Sequence, residues 1–227
     1  MPFIQNKRGR KMGNLGYSGY TAGAIYLMIA LISFLGFLLE NVWLAFRKGY
    51  MDNRNMYAPF LMGYGITIMG FYTVLGTPRN IWIFGNPVNL TERGQMCLYF
   101  VLTFLLVSAG EIVLGIAVEK TCHIIWWDYS SLPLHLTRYT SVFTSLGFTV
   151  LITVFMDCSF EPIMNLLMGL DPVKSCVVGR GLVLLMAADM VVNMTRMKRT
   201  GKLKTIWKLD FAERSFYYYK DGALVKR

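Results

Sequence analysis

The sequence predicts an all-α fold: a polytopic helical membrane protein of about five transmembrane helices, with an interfacial loop and a short re-entrant or surface helix. Three observations carry that reading. Of 227 residues, 55% are hydrophobic and only 16% are charged, and the mean hydropathy is +0.44. That balance is too apolar for a soluble core. Several stretches reach the roughly 20 apolar residues needed to cross a hydrocarbon layer of about 30 Å. The net charge of +10 comes from Lys and Arg that flank those stretches. Such residues mark membrane edges and not a nucleic-acid surface.

Residues 1–19 carry Lys7, Arg8, Arg10 and Lys11 among glycines and polar side chains, a composition that buries no core and reads as a basic arm. The first span follows from Tyr20 to Phe46. It ends on Arg47 and Lys48 with no small-residue cleavage pattern, so it reads as a retained helix and not a signal peptide. The second span, Met56 to Gly76, holds no charge, and Pro78, Gly85 and Pro87 then break the chain. A third span runs from Gln95 to Val118. The stretch "TCHIIWWDYSSLPLHLTR" is too polar to cross and reads as interfacial. A fourth span covers Tyr139 to Met156, and "FEPIMNLLMGLDP" is too short to be another. The fifth, Cys176 to Met194, contains Arg180 and Asp189. The membrane domain is thus 20–195, followed by a basic tail, 196–227. Within that tail "WKLDFAERSFYYY" reads as an amphipathic helix on the membrane surface.

Five spans place the termini on opposite sides. With the tail inside, fifteen Lys and Arg face the cytoplasm against eight outside, which favours a cytoplasmic tail and an external arm.

The informative residues are carboxylates inside apolar helices. Glu40, Glu111 and Asp189 stand at similar distances from the ends of the first, third and fifth spans, which run parallel, so they share one depth. An ionisable group there normally faces the bundle interior, a partner or a watery cavity. Small or polar residues accompany each at helical spacing: Gly36 before Glu40, Gly115 after Glu111, Asn193 after Asp189. Gly63 and Gly70 offer the second helix a close-packing face. Three readings stay open: structural pairing with Arg47, Lys48, Lys120 or Arg138, a cation or proton site, and a site for a polar group of a substrate. In "WWDYSSLP", Trp126, Trp127 and Tyr129 fit an interfacial aromatic belt and Asp128 fits a turn.

Enzyme signatures are missing. No Gly-rich stretch ends in Gly-Lys-Ser/Thr, so the chain carries no nucleotidase of its own. "GYSG" at Gly16 to Gly19 has no helical histidine to activate Ser18. Cys97, Cys122, Cys158 and Cys176 are too scattered for a metal knuckle and read as buried thiols. His123 and His135 lie outside the spans. No cofactor or metal is expected, and the chain is read as non-enzymatic.

"FLGFLLENVW" in the first span, "NRNMYAPFLMGYG" after it and "GEIVLGIAVEKTCHIIWWDYSSLP" further on resemble, in that order, bacterial membrane proteins of the putative ABC-transporter type IV family. The resemblance runs from Ser33 to Ser145, and its most specific part is the Glu followed by Trp-Trp-Asp-Tyr-Ser. The family's Asn-Arg-Gly and Gly-Pro pattern is met by Asn53, Arg54 and Pro59, with Asn55 and Ala58 where the glycines stand. Its later Asn-Gly-Arg is replaced by the stretch His135, Leu136, Thr137, Arg138, Tyr139. The resemblance implies a permease-like subunit in a bacterial plasma membrane, moving or binding a small solute, with a separate ATPase subunit as partner if ATP is used. A non-transporting accessory or scaffold protein is the alternative, and self-association stays open. Glu40, Asn41, Glu111, Glu119, Asp128, Asp189 and Asn193 are the candidate substrate- or ion-binding residues. Glu40 with Asp52 and Pro59, and Glu119 with Asp128 and Pro133, also outline two helix–loop–helix units of the same direction.

Overall fold

In a computed structural model, residues 19–220 and 223–226 are described. The expected arm, with Lys7 to Lys11 and Ser18, lies outside them. The chain is mostly helical: α1 Ala22–Lys48, α2 Met62–Leu75, α3 Glu92–Cys122, α4 Val142–Cys158, α5 Phe160–Met168 and α6 Pro172–Thr200. Local sequence sets these bounds. Thr21 accepts from the Ala24 N–H, Thr91 from that of Gly94 and Ser141 from that of Phe143. Asp171 accepts from Val173 and Lys174, with Pro172 opening α6. Each cap satisfies an amide that the first helical turn leaves free. Gly49 and Gly201 end α1 and α6 in the left-handed conformation, at φ 74° and 62°, which glycine adopts without a Cβ clash.

Three helices, α1, α3 and α6, are long and apolar enough to cross a bilayer, and α4 with α5 forms a fourth candidate bent by 48°. This departs from five clear spans. α2 has only 14 residues, about 21 Å at 1.5 Å per residue. It starts at Met62 instead of Met56 because the preceding residues fold as a loop. There Asn53 donates to the Met56 carbonyl at 2.8 Å, and Arg54 and Asn55 are left-handed, with φ 49° and 66°.

α1 lies at the centre, packed on α6, α2 and α5, while α3 pairs with α4. The carboxyl ends of α1, α3 and α6 meet on one face, as their expected parallel course requires. The Phe211 N–H bonds Gly49 there at 2.9 Å, Cys122 reaches the Met194 carbonyl, and Asn55 reaches Met197. Glycines let α1 and α6 touch: a Cβ on Gly179 would come within 2.7 Å of the Tyr26 Cβ. At the opposite face, Tyr72 stacks on Phe160 at 4.6 Å and tucks α5 under α1 and α2. Large apolar side chains such as Leu38, Val42, Leu105, Val113, Leu184 and Val191 point outward, as a lipid-facing surface requires. Gly63 and Gly70 face open space. Gly65 instead makes the close contact, against the backbone of Ile29. Of the four cysteines only Cys122 is buried.

The fold is not purely helical. β1 (Tyr50–Asp52) follows α1 directly, and β7 (Trp207–Asp210), β8 (Ser215–Lys220) and β9 (Ala223–Lys226) build an antiparallel sheet on it in the order β1-β7-β8-β9. The expected amphipathic tail helix is therefore a hairpin. Asp210 accepts from the Ala212 and Glu213 N–H groups and Arg214 takes φ 49°, which turns the chain. The aromatic run from Phe216 to Tyr219 suits a strand, and Lys208 stands 4.3 Å from the Tyr50 ring centre across the β1 pairing. Two smaller sheets complete the fold: β2 (Gly76–Thr77), β3 (Asn80–Ile83) and β4 (Asn86–Pro87) between α2 and α3, and β5 (His135–Thr137) with β6 (Thr140–Ser141) ahead of α4.

Candidate functional site

Glu40 sits two turns before the end of α1 and is held from two sides. The Tyr64 hydroxyl of α2 donates to Oε1 at 2.6 Å, and Arg54 of the intervening loop donates to Oε2 at 3.2 Å. Gly36, one turn earlier, leaves room for the ring: a Cβ there would overlap Tyr64. Next to it, buried Asn41 donates to the Phe37 carbonyl at 3.1 Å and accepts the Asp52 N–H at 2.8 Å. Asn41 thus fixes where the loop leaves α1. Asp52 in turn accepts the Arg54 N–H at 2.8 Å and aims the guanidinium at Glu40.

The same chemistry is built a second time at the end of α3. Glu119 accepts the Tyr139 hydroxyl, and Arg138 approaches its other oxygen at 3.5 Å. A Cβ on Gly115, again one turn before the carboxylate, would overlap the Tyr139 ring. The two helix–loop–helix units suggested by sequence therefore share a Gly-Glu-Tyr-Arg clasp, although Arg and Tyr sit at different chain spacings in the two loops. Trp127 donates to the Tyr139 carbonyl at 2.9 Å, and the Tyr129 N–H donates to Arg138 at 2.8 Å. This is how the Trp-Trp-Asp-Tyr-Ser stretch holds the second clasp. Asp128 is exposed and accepts the Ser130 N–H at 2.8 Å. Hydrogen bonds from Ser130 hold its carboxyl below the usual range, so it closes a turn instead of facing a cavity.

Glu111 differs from both clasps. Its Oε2 accepts from Thr140 at 2.6 Å and from Ser145 at 3.0 Å, and those two hydroxyls touch each other at 2.8 Å. Its hydrogen-bond donors are neutral hydroxyls. Tyr129 lies within electrostatic reach of both Glu111 and Glu40. Burial, then those two carboxylates, hold the Tyr129 hydroxyl well above its ordinary range. The Tyr64 ring meets Phe148 of α4, centre to centre at 6.3 Å. Glu40, Tyr64, Tyr129 and Glu111 therefore form one polar region where the α1–α2 pair meets the α3–α4 pair.

Asp189 does not join it. Its carboxylate accepts the Tyr57 N–H at 3.1 Å and the Ala58 N–H at 2.9 Å, and Asn193 donates to it at 2.6 Å. Asn193 is buried and also accepts from Arg196 at 3.4 Å. Asp189 and Asn193 thus tie the α1–α2 loop to α6. The polar layer of three carboxylates splits into a Glu40–Glu111 neighbourhood and a separate loop anchor. Among the described residues, no three His, Cys, Asp or Glu side chains come together to hold a metal ion.

Tyr64, Tyr139, Thr140 and Ser145 also build the site, though none carries a charge that marks it in the sequence. Hydroxyls at four-residue spacing in Ser141, Ser145, Thr149 and Thr153 were the available signal for the last of these, since that spacing puts them on one face of α4.

The model of the putative ABC-transporter type IV family matches residues 27–194, from α1 into α6 and including both clasps. The chain belongs to this family. No match was found among curated proteins or among solved structures. Within the matched region of this family member, Glu40, Glu111, Glu119, Asp128, Asp189 and Asn193 all lie between α1 and the last turns of α6.

Proposed function

We propose that this chain is a permease-like membrane subunit that binds or moves a small polar solute at Glu111, catalyses no reaction itself, and draws on a separate ATPase where ATP is used. The observation that carries the reading is the contrast among the carboxylates. Glu40 and Glu119 each hold an arginine, and Asp189 is spent on backbone amides. Glu111, in the middle of an apolar helix, is met only by hydroxyls among its hydrogen-bond donors. A carboxylate at such depth is expensive and is normally kept for a solute, ion or proton. The family name supports a transport role.

On this reading α2 and the α4–α5 pair complete five spans. The face bearing Arg54, Arg138, Arg196 and the tail sheet lies in the cytoplasm of a bacterial cell, as the excess of Lys and Arg there favours. An ATPase would dock on that face. Affinity purification of the tagged chain from its native membrane tests the partnership. Recovery of a subunit with the Gly-rich nucleotide loop supports it; recovery of unrelated membrane proteins without any ATPase supports the scaffold alternative.

A further inference from the structure

We propose that the seam between α3 and α4 is a proton path linking Glu111 to the opposite membrane face. The proposal rests on Glu111 as the working carboxylate and adds a driving force to it.

α3 and α4 run antiparallel, and the bond from Ser145 to Glu111 fixes their register. Each step of four residues is about one turn, roughly 6 Å along the seam. Stepping away from the bonded pair sets Thr149 level with Val107, Thr153 with Thr103 and Asp157 with Tyr99. Every level then carries at least one hydroxyl or carboxyl, through a helix pair whose outer surface is apolar.

These hydroxyls are buried and underused. Tyr99, Thr103, Ser145 and Thr149 are fully buried and Thr153 is 6% exposed. Thr149 spends its proton on the Ser145 carbonyl at 2.7 Å and keeps its lone pairs. The Tyr99, Thr103 and Thr153 hydroxyls make no hydrogen bond of ordinary geometry, although those of Tyr99 and Thr103 lie close enough to interact. Valine, as at position 107, would fill the same space without leaving a polar group unpaired. Three such hydroxyls on one seam fit exchangeable partners, and water is the partner that suits a roughly 6 Å gap: one molecule spans it with two hydrogen bonds of about 2.8 Å.

The polar groups at the two ends fit entry and exit. Tyr129 from the loop and Glu40 from α1 lie within electrostatic reach of Glu111. At the other end Arg79 grips Asp157 at 2.8 and 3.0 Å, beside Glu161 and Cys158 in an open groove. In transfer, each oxygen takes a proton on a lone pair and passes its own onward. Only O–H bonds break and form: one proton leaves the Glu111 carboxyl and one is released at the Asp157 face, or the reverse.

The test uses the purified full chain in vesicles of phosphatidylethanolamine and phosphatidylglycerol, with a trapped pH dye and a potential set by potassium and valinomycin. The natural chain conducts protons above the level of protein-free vesicles. Thr103→Val with Thr153→Val keeps the melting temperature, since valine fills the same space and only the loose approach of Thr103 to Tyr99 is given up, and loses the flux; Glu111→Gln loses it too. A natural chain no faster than empty vesicles overturns the path, and so does a doubly substituted chain that conducts like the natural one. Neither solute nor ATPase is present, so a missing flux leaves the transport reading to its own purification test.

Discussion

The Tyr64 hydroxyl reaches Glu40 at 2.6 Å across two helices only because residue 36, one turn before the carboxylate, has no side chain. Gly36→Ala pushes the ring off its partner, and overpacking of this kind costs about 1 to 3 kcal/mol. Gly115→Ala does the same to Tyr139 and Glu119. Gly63→Ala and Gly70→Ala, which face open space, leave the melting temperature in detergent unchanged or slightly raised. Equal losses at all four positions would show that the two clasps are not the reason for these glycines.

Arg54 depends on Glu40 in turn. Both side chains are about a quarter exposed, so their pairing lies between the surface and buried regimes. Glu40→Ala leaves the partly buried guanidinium only its longer contact with Asp52, at 3.8 Å, and lowers stability by about 2 kcal/mol. Glu40→Ala combined with Arg54→Met recovers part of the loss, because the guanidinium that lost Glu40 is removed as well. A double mutant cycle by thermal unfolding that shows no coupling would dissolve the pair.

Asp189 anchors the α1–α2 loop to α6. Asp189→Ala leaves the Tyr57 and Ala58 amides without an acceptor and costs about 1 to 3 kcal/mol. The loss shows first as faster hydrogen exchange at residues 56–58. Unchanged exchange there would mean that the loop holds itself.

The main helices were legible in the sequence because an apolar run near bilayer length leaves the chain few alternatives. Their ends were less so: Arg54 and Asn55 in left-handed turns delay α2 past the point where hydropathy begins it. The tail hairpin was hidden, since its first strand, β7, takes its second partner from β1, over 150 residues earlier in the chain. Of the candidate residues, Glu40, Glu111 and Glu119 were visible as charges in apolar helices. Their partners were not, because Tyr64, Tyr139 and Thr140 read as ordinary apolar-edge residues until the fold brings them across. A common depth of three carboxylates, as expected from spacing, does not fix facing, and Asp189 turned to the loop amides instead.

The tail sheet should depend on pH at both extremes. Lys208 first, then the amides of the turn, hold the Asp210 carboxyl below its usual range, and Asp210 holds the Lys208 amine above its own. A lowered acid stabilises the fold above its ordinary value of about 3.9 and stops doing so as pH falls through the lowered one. A raised amine stabilises below about 10.4 and stops as pH rises through the raised value. Protection of the β7–β8 amides, corrected for intrinsic exchange, is therefore flat through neutrality and falls at the acid and alkaline ends. Protection that falls between pH 5 and pH 8 would place another group in control.

The division of labour between Glu40 and Glu111 is the central claim, and the melting temperatures of Glu40→Gln and Glu111→Gln, measured side by side in one detergent, test it most directly. Glutamine keeps shape and one acceptor oxygen while removing charge. Glu40→Gln weakens the contact with Arg54 and melts clearly below the natural chain; Glu111→Gln keeps an acceptor for Thr140 and Ser145 and melts close to it, a difference worth no more than about 0.5 kcal/mol in stability, the range of substitutions that break no structural feature. If Glu111→Gln unfolds as readily as Glu40→Gln, Glu111 is one more structural clasp and the transport site is not there.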